Sequence, residues 1–108
     1  MSYAPAALIA PGAYITGLNG GRKTVSVAGT REQILTSATP CTGIIIQGLH
    51  SNTGNVSVGG SDVSAVLAGE NGIELMPAQT ITLYVTDVSI VYVDAEVSGE
   101  GISFLIIR

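Results

Sequence analysis

Gln79-Thr-Ile-Thr-Leu-Tyr-Val85 and Ile102-Ser-Phe-Leu-Ile-Ile-Arg108 are the stretches that decide how this chain is read. In the first, Ile81, Leu83 and Val85 point one way, and Thr80, Thr82 and Tyr84 point the other. Strict alternation over this length predicts a half-buried strand. Ser89 to Val97 repeats the pattern, with Val91, Val93, Ala95 and Val97 on one face and Tyr92, Asp94 and Glu96 on the opposite one. Ile102 to Ile107 is nearly all apolar, which predicts a strand covered on both sides.

The same signals recur along the rest of the chain. Lys23 to Val27 alternates, with Val25 and Val27 on one face, and the Asn19-Gly-Gly before it reads as a turn. Glu32 to Ser37 is a short strand or loop. Thr42 to Leu49 carries Ile44-Ile-Ile, a buried strand by its β-branched content. His50-Ser-Asn-Thr-Gly54 reads as a hairpin loop, and Asn55 to Gly59 alternates through Val56 and Val58. Val63 to Leu67 is a short element, and Ile73-Glu-Leu is a brief strand closed by Pro77. Ser98-Gly-Glu-Gly reads as a hairpin before the last strand. About eight short strands between Gly, Asn, Ser and Pro turns predict an all-β sandwich or barrel.

The first 22 residues differ from the rest. Ser2 to Gly17 is apolar, uncharged and interrupted by Pro5 and Pro11. The prolines oppose a helix, the absence of a basic start opposes a signal peptide, and the stretch is too short and broken to span a bilayer. An extended N-terminal arm, 1–22, followed by a sandwich domain, 23–108, fits best. The arm's Tyr3, Leu8, Ile9, Tyr14 and Ile15 need cover, from their own domain or from a neighbouring subunit. They are the candidate residues of a subunit or capsid interface.

Charged residues make up 11% of the 108-residue chain. Ordinary domains carry about 25%, so few groups here discourage sticking, and the reading is a surface covered by copies or by a partner, with a weakly charged monomer as the alternative. The net charge is −4, and Arg22, Lys23, Arg31 and Arg108 are scattered. Direct nucleic-acid binding needs clustered cations and is not expected. No membrane partner is expected either.

Residues that carry chemistry are sparse. His50 is the only histidine, so a multi-histidine metal site cannot be assembled, and its turn context predicts an exposed loop residue. Cys41 cannot form an internal disulfide and has no cationic neighbour in sequence to activate it, so an inert buried thiol is expected. Asp94 and Glu96 share a strand face and read as solvated carboxylates; a glycosidase pair would face across a cleft with aromatic platforms. Gly59-Gly60 and Gly69-x-x-Gly72 precede no helix and read as positive-φ turn residues. No catalytic residue, metal ligand or cofactor is assigned, and the chain is read as not an enzyme.

Three pieces carry a resemblance: Val58-Gly-Gly-Ser-Asp-Val63, Gly72-Ile-Glu-Leu-Met-Pro77 and Asp87-Val-Ser-Ile-Val-Tyr-Val-Asp-Ala95. Together they resemble small jelly-roll virion proteins of tailed bacteriophages, of the capsid decoration (cement) or head-fibre and tail accessory type. The resemblance covers roughly Cys41 to Ile107. It implies a jelly-roll-like antiparallel β-sandwich with an extended arm. It also implies a homotrimer on the capsid surface of a virion, with the major capsid protein as partner, and an arm that reaches a neighbour. A carbohydrate- or receptor-binding module of a phage fibre or tail is the alternative. Its stacking residues would have to come from Tyr3, Tyr14, Tyr84 and Tyr92, the only tyrosines.

Overall fold

The structure is a computed structural model and describes residues 15–66 and 69–108. The strands are β1 (Leu18–Thr24), β2 (Glu32–Gln33), β3 (Gly43–Gly48), β4 (Val56–Gly59), β5 (Ile73–Leu75), β6 (Thr80–Leu83), β7 (Tyr92–Ala95) and β8 (Gly101–Ile107). Sheet I has the order β1-β8-β3-β6, and sheet II the order β2-β7-β4-β5. All pairs are antiparallel, and they are nested: β1 with β8, β2 with β7, β3 with β6, β4 with β5. The chain behaves as one long hairpin with its tip between β4 and β5. The β3–β8 and β4–β7 ladders join the pairs side by side into the two sheets.

The two sheets pack as a β-sandwich because alternation gives each one apolar face. Ile44 and Ile46 of β3 and Ile102 and Ile106 of β8 are buried from sheet I. Val56 and Val58 of β4, Leu75 of β5, and Val93 and Ala95 of β7 meet them from sheet II. Each such Ile, Val or Leu contributes about 1.5–3 kcal/mol by leaving water. A short 3₁₀ turn, Val88–Ile90, feeds β7; the Asp87 side chain caps it by accepting from Ser89 N. No helix among the described residues is long and apolar enough to cross a membrane.

Several local expectations are corrected. Asn19-Gly20-Gly21 is not a turn but the middle of β1, which begins at Leu18, inside the segment read as arm. The glycines serve the neighbouring strand instead: a Cβ on Gly21 would stand 2.8 Å from Phe104 Cζ. Val25 is buried but Val27 is exposed, because the chain leaves sheet I after Thr24. Ser98–Glu100 is not a hairpin turn; it passes from β7 in sheet II to β8 in sheet I. The His50–Gly54 stretch likewise connects different sheets, from β3 to β4. Nor is β8 covered on both sides. Ile102 and Ile106 are buried inward, while Ser103, Leu105 and Ile107 on the other face are only half-buried.

Candidate interaction surface

The half-buried side of β8 belongs to the outer face of sheet I. Strand register places its residues in rows. Leu18, Ile107 and Gly43 form one row. Gly20, Leu105, Ile45 and Thr82 form the next, followed by Arg22, Ser103, Gln47 and Thr80. Leu18 is 56% exposed, and the two glycines beside it and Ile45 keep the face flat. Beyond the first row, Ile15 (61% exposed) and Tyr84 (86% exposed) flank a hollow of about 390 Å³ with Thr42, Gly43 and Ile107. No Asp or Glu lies in these rows. Arg22 and Arg108 stand at the margin, and Arg108 Nη1 donates to Asn19 Oδ1 at 3.4 Å. An apolar, flat, carboxylate-free face suits contact with another protein surface.

The opposite side of the molecule has a different character. Glu70, Glu74 and Glu96 bring carboxylate oxygens within 4.8 Å of one another in an exposed cluster. The hydrogen bond and then the charge of Glu74 push the Glu70 carboxyl above the usual range. Sequence order gave no sign of this grouping, because its members come from the β4–β5 loop, β5 and the end of β7.

Asp94 corrects the reading of a solvated pair. Glu96 is exposed, but Asp94 is 0% exposed. Its Oδ1 accepts from Gly29 N at 3.0 Å and from Ala95 N at 2.8 Å, and its Oδ2 accepts from Ala65 N at 2.8 Å. Val63 and Ala65, in the β4–β5 loop, cover this part of sheet II. Asp94 therefore pins two loops rather than facing water. Among the described residues, no buried side-chain N or O lacks a hydrogen-bond partner.

The two edges of the sandwich also differ. At the β1–β2 edge, Lys23 Nζ meets Glu32 Oε1 at 2.8 Å and bridges the sheets. The Lys23 ammonium, helped by Ser26 N–H, holds the Glu32 carboxyl below its usual range. At the β5–β6 edge the sheets part, leaving an apolar cleft of about 510 Å³. Ile73, Ile81, Leu83, Val85 and Ile90 line it, with Gly59, Gly60 and Gly72 against Val58. Of the glycines expected at positive φ, only Gly72 has it (φ +104), and a Cβ there would stand 2.7 Å from Val58 O. Gly59, Gly60 and Gly69 do not; the first two give the cleft a side-chain-free wall.

His50 is exposed in the turn after β3. Cys41 is half-buried; its Sγ donates to Val85 O at 3.2 Å, and burial raises its thiol pKa. Of the predicted interface residues, Ile15 joins the outer-face patch, whereas Tyr3, Leu8, Ile9 and Tyr14 lie outside the described residues. Tyr84 is exposed, as its place on the polar face of its strand predicts, whereas Ile45, Leu105 and Ile107 were missed as surface groups. The available signal was the β8 run, apolar on both faces, in a strand that has only one core to face. What fold and surface define is a β-sandwich whose distinguishing features are an apolar sheet face and an apolar edge cleft. Comparison with family models, with curated proteins and with solved structures finds no match.

Proposed function

We propose that this protein is a structural subunit that works by non-covalent assembly through the outer face of sheet I. One observation carries the reading: Leu18, Ile45, Leu105, Ile107, Ile15 and Tyr84 form a contiguous apolar surface with no carboxylate among them. Surfaces of this kind are stabilised by being covered, since each Å² of apolar area removed from water contributes about 25 cal/mol.

In its particular form, the proposal is a capsid decoration (cement) protein, a homotrimer bound to the major capsid protein on the phage head. Support comes from the resemblance of the Gly59-Gly60, Gly72-to-Pro77 and Asp87-to-Ala95 motifs, from the 11% charge content, and from the nested strand order, which suits a jelly roll of two Greek keys. Such a protein performs no chemistry. It ties neighbouring capsomers together by many modest contacts, and symmetry multiplies them into a large avidity.

The test is native mass by light scattering, followed by co-sedimentation with undecorated capsids. A trimer that pellets with capsids and raises their resistance to heat is the expected result. A clean monomer at high concentration sinks the assembly reading. A trimer that ignores capsids sinks only the decoration role.

A further inference from the structure

Pairing within the chain leaves its charges divided between two sides of the molecule. The chain holds eight Asp and Glu and four Lys and Arg, all of them among the described residues. Glu32, Asp62, Asp87, Asp94 and Glu100 each accept from a donor of their own. The carboxylates that remain, Glu70, Glu74 and Glu96, are those of the exposed cluster. Asn55 N donates to Glu96 Oε1 at 2.7 Å, but no cation joins the group. Among the cations, Lys23 has Glu32, which is the one ion pair among the described residues. Arg22, in β1, and Arg108, bonded to Asn19 of β1, both stand exposed at the β1 margin of sheet I and meet no carboxylate.

Given assembly through sheet I, on which this rests, we propose that its outer face docks, head to tail, on the glutamate-bearing side of a second copy. Arg22 and Arg108 of one copy then face Glu70, Glu74 and Glu96 of the next. The glutamate side is suited to receive an apolar face. Glu74 lies on the outer face of β5, by register with Ser57 and Asp94. Exposed Ile73 precedes it, exposed Met76 stands two residues beyond, and exposed Val97 follows Glu96. Apolar side chains within a charged rim are the usual make-up of a protein contact.

Charge complementarity chooses this occupant over a twofold pairing of sheet I with itself. A face-to-face dimer would gather the arginines of both copies around a surface that holds no anion. Head-to-tail contact instead gives each arginine a counter-charge and relieves the repulsion among three glutamates that have no cation in their own chain. Complementary potentials of this kind set which surfaces meet, and like charges brought together exclude the wrong pairing. Symmetry points the same way. A twofold contact uses one patch twice, whereas a ring of three needs two different patches on every copy. The outer face of sheet I and the glutamate side are two such patches.

The experiment measures native mass of the full chain by light scattering over a range of concentrations. Three variants are compared with the parent: Arg22→Glu with Arg108→Glu, Glu70→Arg with Glu74→Arg, and all four changes together. Each pair is expected to raise the dissociation constant about tenfold or more, and the fourfold swap to return it to within about threefold of the parent. A second measurement needs no variant: the parent's dissociation constant should rise several-fold between about 0.05 and 0.5 M salt, as the facing charges are screened. A parent that assembles with the same affinity in every variant and at both salt levels overturns the head-to-tail contact and leaves assembly through sheet I standing. So does rapid disulfide formation between identical chains carrying Ser103→Cys with Cys41→Ser, which would set the outer face against itself. A parent that stays monomeric at high concentration overturns both. Chains that lengthen without limit as concentration rises would support the contact while removing the closed trimer.

Discussion

Asp94 and Gly29, 65 positions apart, are joined by a 3.0 Å hydrogen bond from the Gly29 amide to a fully buried carboxylate. Ala65 N donates to the other oxygen at 2.8 Å, so one side chain holds two loops against sheet II. Removing it leaves three amides, of Gly29, Ala65 and Ala95, without this acceptor, at about 1–3 kcal/mol each. Asp94→Ala should therefore lose about 3 kcal/mol. Asp94→Asn should lose a comparable amount, because its amide would confront a backbone donor. Denaturant midpoints with an unchanged m-value measure this. A loss below about 1 kcal/mol for both variants would mean that water replaces the carboxylate at little cost.

Much of the sandwich was legible because alternation reports directly on one apolar face. Ile81 with Leu83, Val91 with Val93, and Ile44 with Ile46 were all readable as strand positions, and the residues that fill the core follow from them. Asp94 was not legible. Alternation put it on the outer face of its strand, and only a loop about 30 positions away, bearing Ala65, turns that face into interior. Asn19-Gly20-Gly21 misled for a related reason: turn composition was read where the glycines make room for Phe104. The surface patch was half legible. A nearly all-apolar β8 said that both faces avoid charge, but whether a second layer covers the outer one depends on sheet order, which local pattern does not encode.

Ala78 is the only non-glycine residue with positive φ among the described residues, at 69°. It follows Pro77 in a turn closed by Gln79 N donating to Met76 O at 3.0 Å. A side chain in this left-handed conformation costs about 1 kcal/mol, and glycine's looser unfolded chain offsets part of the relief. Ala78→Gly should stabilise the protein by about 0.5 kcal/mol. Ala78→Val should destabilise it by about 1 kcal/mol or more, since a β-branched residue suits positive φ least. Thermal melts of the pair test the turn: shifts in the same direction would contradict it.

Acid should weaken the fold through a small set of carboxylates. Asp87 accepts from Thr39 N, then from Ser89 N and the Ser89 hydroxyl, and its pKa lies below the usual range. Partial burial acts to raise Glu100, but the Gly54 and Thr53 amides and the Thr53 hydroxyl outweigh it and leave the pKa lowered. A depressed folded-state pKa gives stability that is present above the unfolded value, about 4, and lost as pH falls through the folded value. Glu70 has the opposite sign. Its pKa is raised by Glu74, so its ionisation opposes folding as pH rises. Asp87→Asn should flatten the fall in melting temperature below about pH 4. Glu74→Gln should raise the melting temperature at neutral pH while leaving the acid limb in place. A parent-like acid limb in Asp87→Asn would remove Asp87 from this account.

Leu105 offers the sharpest separation between folding and assembly. It sits in the centre of the outer face of sheet I, between Gly20 and Ile45, and is only half-buried. Its inward neighbours Phe104 and Ile106 hold the core side of the strand, so a change at Leu105 leaves that packing intact. A lysine there should change stability by no more than about 1 kcal/mol, as at other partly exposed positions. An unpaired charge at the middle of a covered apolar face is far more costly, because it must be desolvated whenever the subunits meet. Leu105→Lys is thus expected to melt close to the parent temperature while its native mass falls from that of the proposed assembly to the 11.0 kDa single chain. Lysine at Thr53, in the loop between β3 and β4, is the control and should leave the mass unchanged. If Leu105→Lys keeps the parent mass, the outer face of sheet I is not where copies of this chain join.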